Sequence, residues 1–433
     1  MDTDVVVVGA GLAGLRCAER IAAAGRSVLV VEEQGVVGGR QRTDVVDGFL
    51  LDRGFQVLNP AYPAVRRWVD VASLDLRPFG AGLDIRRESG TVRLAHPLRE
   101  PSGILATARS GLLSPSQVAA LIRWVGPAIV APGRVKRGAD TTLREGLDRA
   151  GVRGRLRTEV IEPFIAGVVA EGSGETSDAF VRLLVRMFAL GVPGLPARGI
   201  RALPEQVLAS ALAQRGGTTL RVGEAAQEVR SLASGVEVAL AGGGRVRARA
   251  AVVAVGPGVV SGLLDVPRPA TRGLQTWWFA ADEAPTRSKM IAVDGRRRGP
   301  MVNAAVISNA VSSYAPAGRH LVQVTCLLGG GAPVATEAQV RRQAQEVLGG
   351  SAAQWMLLRR DDISDALPAQ GSPLRTTSAA QVSQGVYVAG DHRDTASIQG
   401  ALVSGDRVGR AVLADLADPA DRADHADRAD LVR

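Results

Sequence analysis

The chain has 433 residues, 46% of them hydrophobic and 22% charged, which fits a folded protein of two or three domains with a sizeable core. Its two cysteines, Cys17 and Cys326, stand far apart and speak against a disulfide-built scaffold, so a reducing, cytoplasmic setting is expected. The net charge of +9 comes almost wholly from arginine, and short clusters such as Arg296-Arg297-Arg298 have no aromatics interleaved, so nucleic acid is not an expected partner.

The acidic start, Met1-Asp2-Thr3-Asp4, runs straight into Val5 to Val8, with no basic leader. That apolar run, a glycine-rich turn, a helical stretch from Leu12 to Ala24 stopped by Gly25, and a second apolar run from Ser27 to Val31 spell a βαβ unit. From about Arg53 to Arg201 the pattern is mixed. Joints at Ala131-Pro132-Gly133 and Val192 to Pro196 separate helical segments, so a largely helical insertion is expected. Within it, the apolar run from Leu112 to Ala131 is broken by Pro115, Gln117, Arg123 and Pro127 and is too interrupted to span a membrane. It reads as a buried helix, with peripheral membrane contact or the roof of an apolar pocket as alternatives.

From Leu203 to Leu264 the chain reads as a helix and three strands, the last a buried run from Ala250 to Val255 ended by Gly256-Pro257. Strand-like runs at Leu274 to Ala280 and Leu321 to Leu327, with a helix at Thr336 to Leu348, suit a second domain. Gly385 to Asp391 and a last helix close the fold, and the charged Ala-Asp repeat that follows is expected to be disordered. The predicted organisation is one discontinuous domain over 1–55, 200–265 and 380–416, a second over 56–199 and 266–379 with a helical part and an antiparallel sheet, and a tail over 417–433.

The chemistry begins at Gly9-Ala10-Gly11-Leu12-Ala13-Gly14, where a strand meets a helix. In such a turn Gly9 permits the bend, Gly11 lets backbone approach a pyrophosphate, and Gly14 lets helix pack on strand, while the helix start supplies N–H donors and a positive dipole end. Glu32 closes the second strand, placed to accept hydrogen bonds from ribose hydroxyls. Six residues on stand Gly38-Gly39-Arg40. Here the sequence resembles the FAD-binding amine oxidase superfamily, which includes monoamine oxidases, protoporphyrinogen oxidases and phytoene desaturases. The resemblance implies an α/β fold: a Rossmann-like FAD-binding domain with a second α+β substrate domain built from insertions.

The same resemblance implies that Gly38, Gly39 and Arg40 lie along the FAD pyrophosphate and flavin, Arg40 bringing a charge that never titrates off. It puts Gly54 and Phe55 on the segment that returns past the flavin, and gives Ala226 the backbone contact to adenine. Gly390-Asp391 and the run from Ser397 to Gly405 resemble the closing motif. There Asp391 serves the ribityl or phosphate region, and Ser397, Gln399, Gly400 and Ala401 open a helix whose N–H groups face the flavin.

Departures bear on the substrate. Monoamine oxidases carry an aromatic cage residue within the closing motif, where this chain has Ser397-Ile398-Gln399. The strand where those enzymes place a lysine near flavin N5 reads Leu274-Gln275-Thr276-Trp277-Trp278-Phe279. Gln56, Gln275, Trp277 and Trp278 are the candidate pocket residues, plain core being the competing reading for the tryptophans. No residue suggests a covalent flavin link, and neither cysteines nor histidines show metal-ligand spacing.

The expectation is an FAD-dependent, desaturase-like dehydrogenase or oxidase with non-covalent FAD. It would move a hydride from a largely apolar small molecule to flavin N5 and pass electrons to an acceptor such as O2. An amine oxidase with an altered cage, and a non-catalytic escort-type binding protein on the same fold, are the alternatives.

Overall fold

The structure is a computed structural model that describes residues 1–329, 331 and 333–417; the expected tail from 418 onward lies outside the described residues. In chain order the elements are β1 (Thr3–Val8), α1 (Leu12–Ala23), β2 (Val28–Glu32), β3 (Thr43–Val46), β4 (Phe49–Asp52), α2 (Pro63–Trp68), β5 (Leu76–Pro78), β6 (Gly82–Arg87) and β7 (Gly90–Ala95). Helices α3 (Ile104–Arg109), α4 (Pro115–Val130), α5 (Pro132–Arg137), α6 (Leu143–Ala150), α7 (Glu162–Val169) and α8 (Asp178–Leu190) follow, then β8 (Gly194–Pro196) and α9 (Ala202–Leu212). Strands β9 (Thr218–Val222), β10 (Ala226–Leu232), β11 (Gly235–Leu240) and β12 (Arg245–Val253) precede α10 (Val260–Leu263), β13 (Thr271–Ala281), β14 (Ile291–Asp294), β15 (Met301–Val306), α11 (Ile307–Ala310) and β16 (His320–Leu328). The described residues end with α12 (Glu337–Leu348), β17 (Met356–Pro368), β18 (Gln381–Ser383), β19 (Val386–Val388) and α13 (Ile398–Leu416).

Two compact units emerge. Unit 1 gathers residues 1–39, 204–268 and 377 onward; unit 2 gathers 40–203 and 269–376. Residues 40–55, grouped by the sequence with the nucleotide-binding segments, cluster with unit 2 because the β3–β4 hairpin is tied there. Asp52 on β4 accepts from Ile200 N and Tyr314 Oη, and Arg359 donates to the carbonyls of Leu51 and Asp52.

Unit 1 is built on a sheet ordered β10-β11-β12-β1-β2-β9, with β19 also paired to β12 and β18 to β19. β1 runs parallel to both β12 and β2, and its Val5 to Val8 are wholly buried, which is why the strand reads as an unbroken apolar run. β12 serves two neighbourhoods: residues 245–248 pair antiparallel with β11, and 248–253 pair parallel with β1.

Unit 2 carries a seven-stranded sheet ordered β17-β13-β16-β15-β14-β6-β7, antiparallel except for the β14–β6 pair. One face packs on α12, with Trp277, Phe279, Val324, Val340 and Val347 in its core; the other buries Trp278, Phe49, Leu51, Phe79 and Tyr314. The expected helical insertion is helical at the short α2 and then over α3 to α8, with strands between and after them. Hairpin β6–β7 leaves it to pair with β14 some 200 residues later, a partnership no local pattern reveals. Both cysteines are free and buried, Cys17 on α1 and Cys326 on β16.

Candidate functional site

The turn after β1 is set by backbone sterics. Gly9 has φ +101°, and a Cβ there would stand 2.8 Å from the Ala254 carbonyl oxygen at the end of β12. At Gly14 a Cβ would collide with the Gly9 carbonyl, so α1 can lie this close to β1 only with glycine. Gly11 differs from both, since a Cβ there would meet no atom within 4 Å. α1 has no side-chain cap and no acidic residue in its first turn, so its positive end meets that open space undischarged.

Beside this opening the second glycine motif is held by backbone: Gly38 N donates to Ala10 O at 2.9 Å, and Gly11 and Gly38 form a parallel bridge. Glu32 is buried, its Oε2 accepting from Ala10 N at 2.7 Å and its Oε1 from Gln34 N at 3.0 Å. Each carboxylate oxygen can accept a second bond, so the residue that fixes the glycine turn retains capacity for hydroxyl donors. A cradle of backbone amides next to a fixed acid fits an adenine dinucleotide, pyrophosphate at α1 and ribose at Glu32. Ala226 opens β10, half-buried, with its neighbour Ala225 accepting from Ala241 N.

α13 supplies a second helix start in the same unit. Ser397 caps it, its Oγ accepting from Gly400 N at 3.1 Å, while Ser397 O accepts from Ala401 N at 3.0 Å. The amides of Gly400 and Ala401, expected to face a flavin, are thus bonded within the helix's own first turn. Gly390 N donates to Ser404 Oγ at 3.1 Å, and Asp391 is buried at the start of a short turn, so the loop and the helix are one assembly. Gln399 lies half-buried on the first turn.

α1 and α13 pack side by side, and the register gives their direction. Gly405 sits against Ala13 and Gly409 against Cys17 and Arg20, so both chains advance together and the helices are parallel. Arg16 joins them, donating to Asp406 at 2.8 Å and to Glu19 at 2.7 Å with all three groups largely buried. From this pairing α13 begins six residues ahead of α1, about 9 Å at the helical rise. Two positive helix ends therefore stand in tandem at one end of unit 1.

Unit 2 carries the remaining candidates. Arg40 donates to Ala366 O at 2.9 Å. Gln56 closes the same loop, its Nε2 donating to Arg40 O at 2.5 Å and Arg53 O at 3.0 Å and its Oε1 accepting from Gln41. Gly54 has φ +80° and lies against Ile363; Phe55 meets Phe79 edge to face at 6.0 Å. Gln275 and Trp277 fill the core on the α12 side: Trp277 Nε1 donates to Gln275 Oε1 at 2.8 Å, Gln275 Nε2 donates to Asp362 at 2.9 Å, and Arg360 covers the Trp277 ring. Trp278 fills the opposite core and donates to Asp361 at 3.0 Å. With both indole N–H groups satisfied and both faces of β13 packed, these three side chains are interior residues. A cavity of about 490 Å³ in unit 2 lies elsewhere, lined by Asp84, Arg93, Arg109 and Met290 among others.

Sequence reasoning passed over Asp52, two residues before Gly54. It is wholly buried, accepting from Thr43 Oγ1 at 2.6 Å, Ile200 N at 3.1 Å and Tyr314 Oη at 2.9 Å. Burial pushes its carboxyl up, against the pull of these hydrogen bonds and of Arg359, to about 6. An acid closing an apolar Phe-Leu-Leu strand was the available signal.

The sequence pattern of the family described as "Flavin containing amine oxidoreductase" matches residues 12–413. Among curated proteins, putrescine oxidase of Kocuria rosea is 44% identical over 75 residues, 17% of this chain and 16% of that protein. Protoporphyrinogen oxidase 2 of Arabidopsis thaliana is 32% identical over 110 residues, 25% of this chain and 21% of that protein. The chain therefore aligns with well under two thirds of either relative. Among solved structures, an oxidoreductase from Methanosarcina mazei superposes with a TM-score of 0.72 at 17% identity, covering 94% of this chain and all of that one. A putrescine oxidase bound to putrescine gives 0.71 at 16% identity, covering 96% and 99%.

Proposed function

Because the chain belongs to the flavin containing amine oxidoreductase family, we propose that it is an FAD-dependent oxidoreductase that holds FAD without a covalent link and oxidises a largely apolar small molecule, electrons passing to an acceptor such as O2. The observation that carries this reading is the opening at Gly11, where the uncapped start of α1 and the fixed carboxylate of Glu32 flank a space that suits a dinucleotide. Bound FAD supplies a two-electron acceptor for an activated substrate C–H bond. On this reading the chain does the rest: α1 would receive the pyrophosphate, Glu32 the ribose, and the positive start of α13 would favour the negative charge that reduced flavin gathers. Both thiols are buried, which favours non-covalent attachment. Of the alternatives, oxidation of an amine lacks its aromatic partner at 397–399, where the chain has Ser-Ile-Gln.

The test is the visible spectrum of the purified protein, mass analysis of what denaturation releases, and anaerobic bleaching by apolar substrates and amines. Flavin bands with free FAD released, and bleaching by an apolar compound, are the expected outcome. Bleaching by amines alone would move the reading to an amine oxidase. A colourless protein that refuses added FAD would overturn the enzyme reading in favour of an escort-type binding protein.

A further inference from the structure

Helix α4 is apolar on both sides. Toward unit 2 it buries Ala120, Trp124 and Ala128, spaced four apart, with the Trp124 indole donating to Asp178 at 2.7 Å. At 100° per residue the opposite face is centred on Ile122 and carries Val118, Ala119, Gly126, Ile129 and Val130. Ile122 is 66% exposed, Val130 85% and Val118 40%. The expectation of a buried helix thus holds for one face only. An apolar outer face on a surface helix is unfavourable in water and calls for an occupant.

Charge identifies the occupant. From Pro101 to Ala139 there is no acidic residue, in a chain with 43 among 433, while Arg109, Arg123, Arg134, Lys136 and Arg137 fall in the same stretch. Three of these stand on α5, directly after α4 and packed on it, exposed and without an ion pair among the described residues. The first acid beyond, Asp140, is turned inward, accepting from Ser177 Oγ at 2.7 Å and Ala179 N at 2.9 Å. No helix among the described residues is long and apolar enough to cross a membrane, so a helix about 24 Å long with an apolar face and a basic end would lie in the headgroup plane. We propose that the outer face of α4, with the basic end supplied by α5, docks this protein on an anionic lipid surface. This stands independently of the flavin reading, since none of these residues belongs to the candidate cofactor site.

The test is sedimentation of the full-length protein with vesicles of phosphatidylcholine alone or of equimolar phosphatidylcholine and phosphatidylglycerol. The wild-type chain is expected to sediment with the anionic vesicles only, and less as salt is raised. R134Q/K136Q/R137Q should weaken that binding on the order of a hundredfold. Ile122→Glu should abolish it with flavin content and unfolding midpoint unchanged; should that variant misfold, Val130→Ser reads the same face at its most exposed position. Absent binding, equal binding to both vesicles, or binding undiminished in these variants overturns the proposal. So does a solution dimer that Ile122→Glu dissociates in a protein that ignores vesicles, which would assign the face to a second copy of the chain.

Discussion

Asp52 illustrates a burial penalty that its hydrogen bonds only partly offset. Its folded carboxyl titrates near 6, against an ordinary 3.8, so the folded state favours the proton. Its contribution to stability is fully present below the unfolded value and is lost as pH rises through about 6. Asp52→Asn has no charge to desolvate. Relative to wild type it should therefore gain about 1–2 kcal/mol between about pH 5 and pH 8, read from denaturant midpoints at the two pH values. Glu32 makes the opposite kind of prediction, because the role proposed for it concerns a ligand. Glu32→Ala should weaken FAD binding by ~10- to 100-fold in a fluorescence titration of the apoprotein, the loss expected for hydrogen bonds to a charged acceptor, while Glu32→Gln should recover part of it. The difference between these acids also marks how far single residues can be read. Glu32 announces itself by its distance from a glycine motif, whereas every partner of Asp52 except Thr43 comes from a remote stretch of chain.

Among elements, the α1–α13 pair decides whether the two helix starts stay in tandem. A Cβ at Gly405 would press on the Ala13 carbonyl, which is backbone and cannot step aside. Gly405→Val should force the helices apart at a cost of about 1–3 kcal/mol and lower retained flavin, checked by a thermal melt and the ratio of flavin to protein absorbance. Ser397→Ala, which removes only the cap, should cost about 1 kcal/mol or less in the same melt. What was legible here follows the range of the forces involved. The βαβ start, α12 with its Thr336 cap, and strands β13 and β16 are written in local periodicity. The parallel register of α1 on α13 is not, since the small residues at 405 and 409 have meaning only once their partner is known. Strand alternation by itself sends Trp277 and Trp278 to opposite faces, but only the structure shows that both faces are covered. α4 misled in the other direction, because an apolar run looks the same whether one face or all of it is buried.

At the scale of the whole molecule each unit is assembled from separated stretches of chain. β1 lies between β12 and β2, and α1 rests on α13, so unit 1 cannot be completed until the last described residues are present. A chain ended at Thr376 would lack β19 and α13, leaving the α1 face that packs on α13 and the β12 edge that pairs with β19 uncovered. It should retain no FAD and show exposed apolar surface by dye binding, against a full-length control that does neither. The basic charge of the chain is likewise unevenly placed, and the acid-free stretch from 101 to 139 was visible in the sequence; only exposure gave it a direction.

The two sulfhydryl groups bear on durability. If oxygen is the acceptor, as proposed, each turnover would release hydrogen peroxide next to the protein, and the species that peroxide attacks is the thiolate. Burial raises the thiol of Cys17 and pushes that of Cys326 up to about 12, so both remain protonated and out of contact with solvent at any physiological pH. The chain has no other cysteine, so peroxide formed by an oxygen-linked turnover would find no reactive thiol for sulfenic acid or disulfide chemistry.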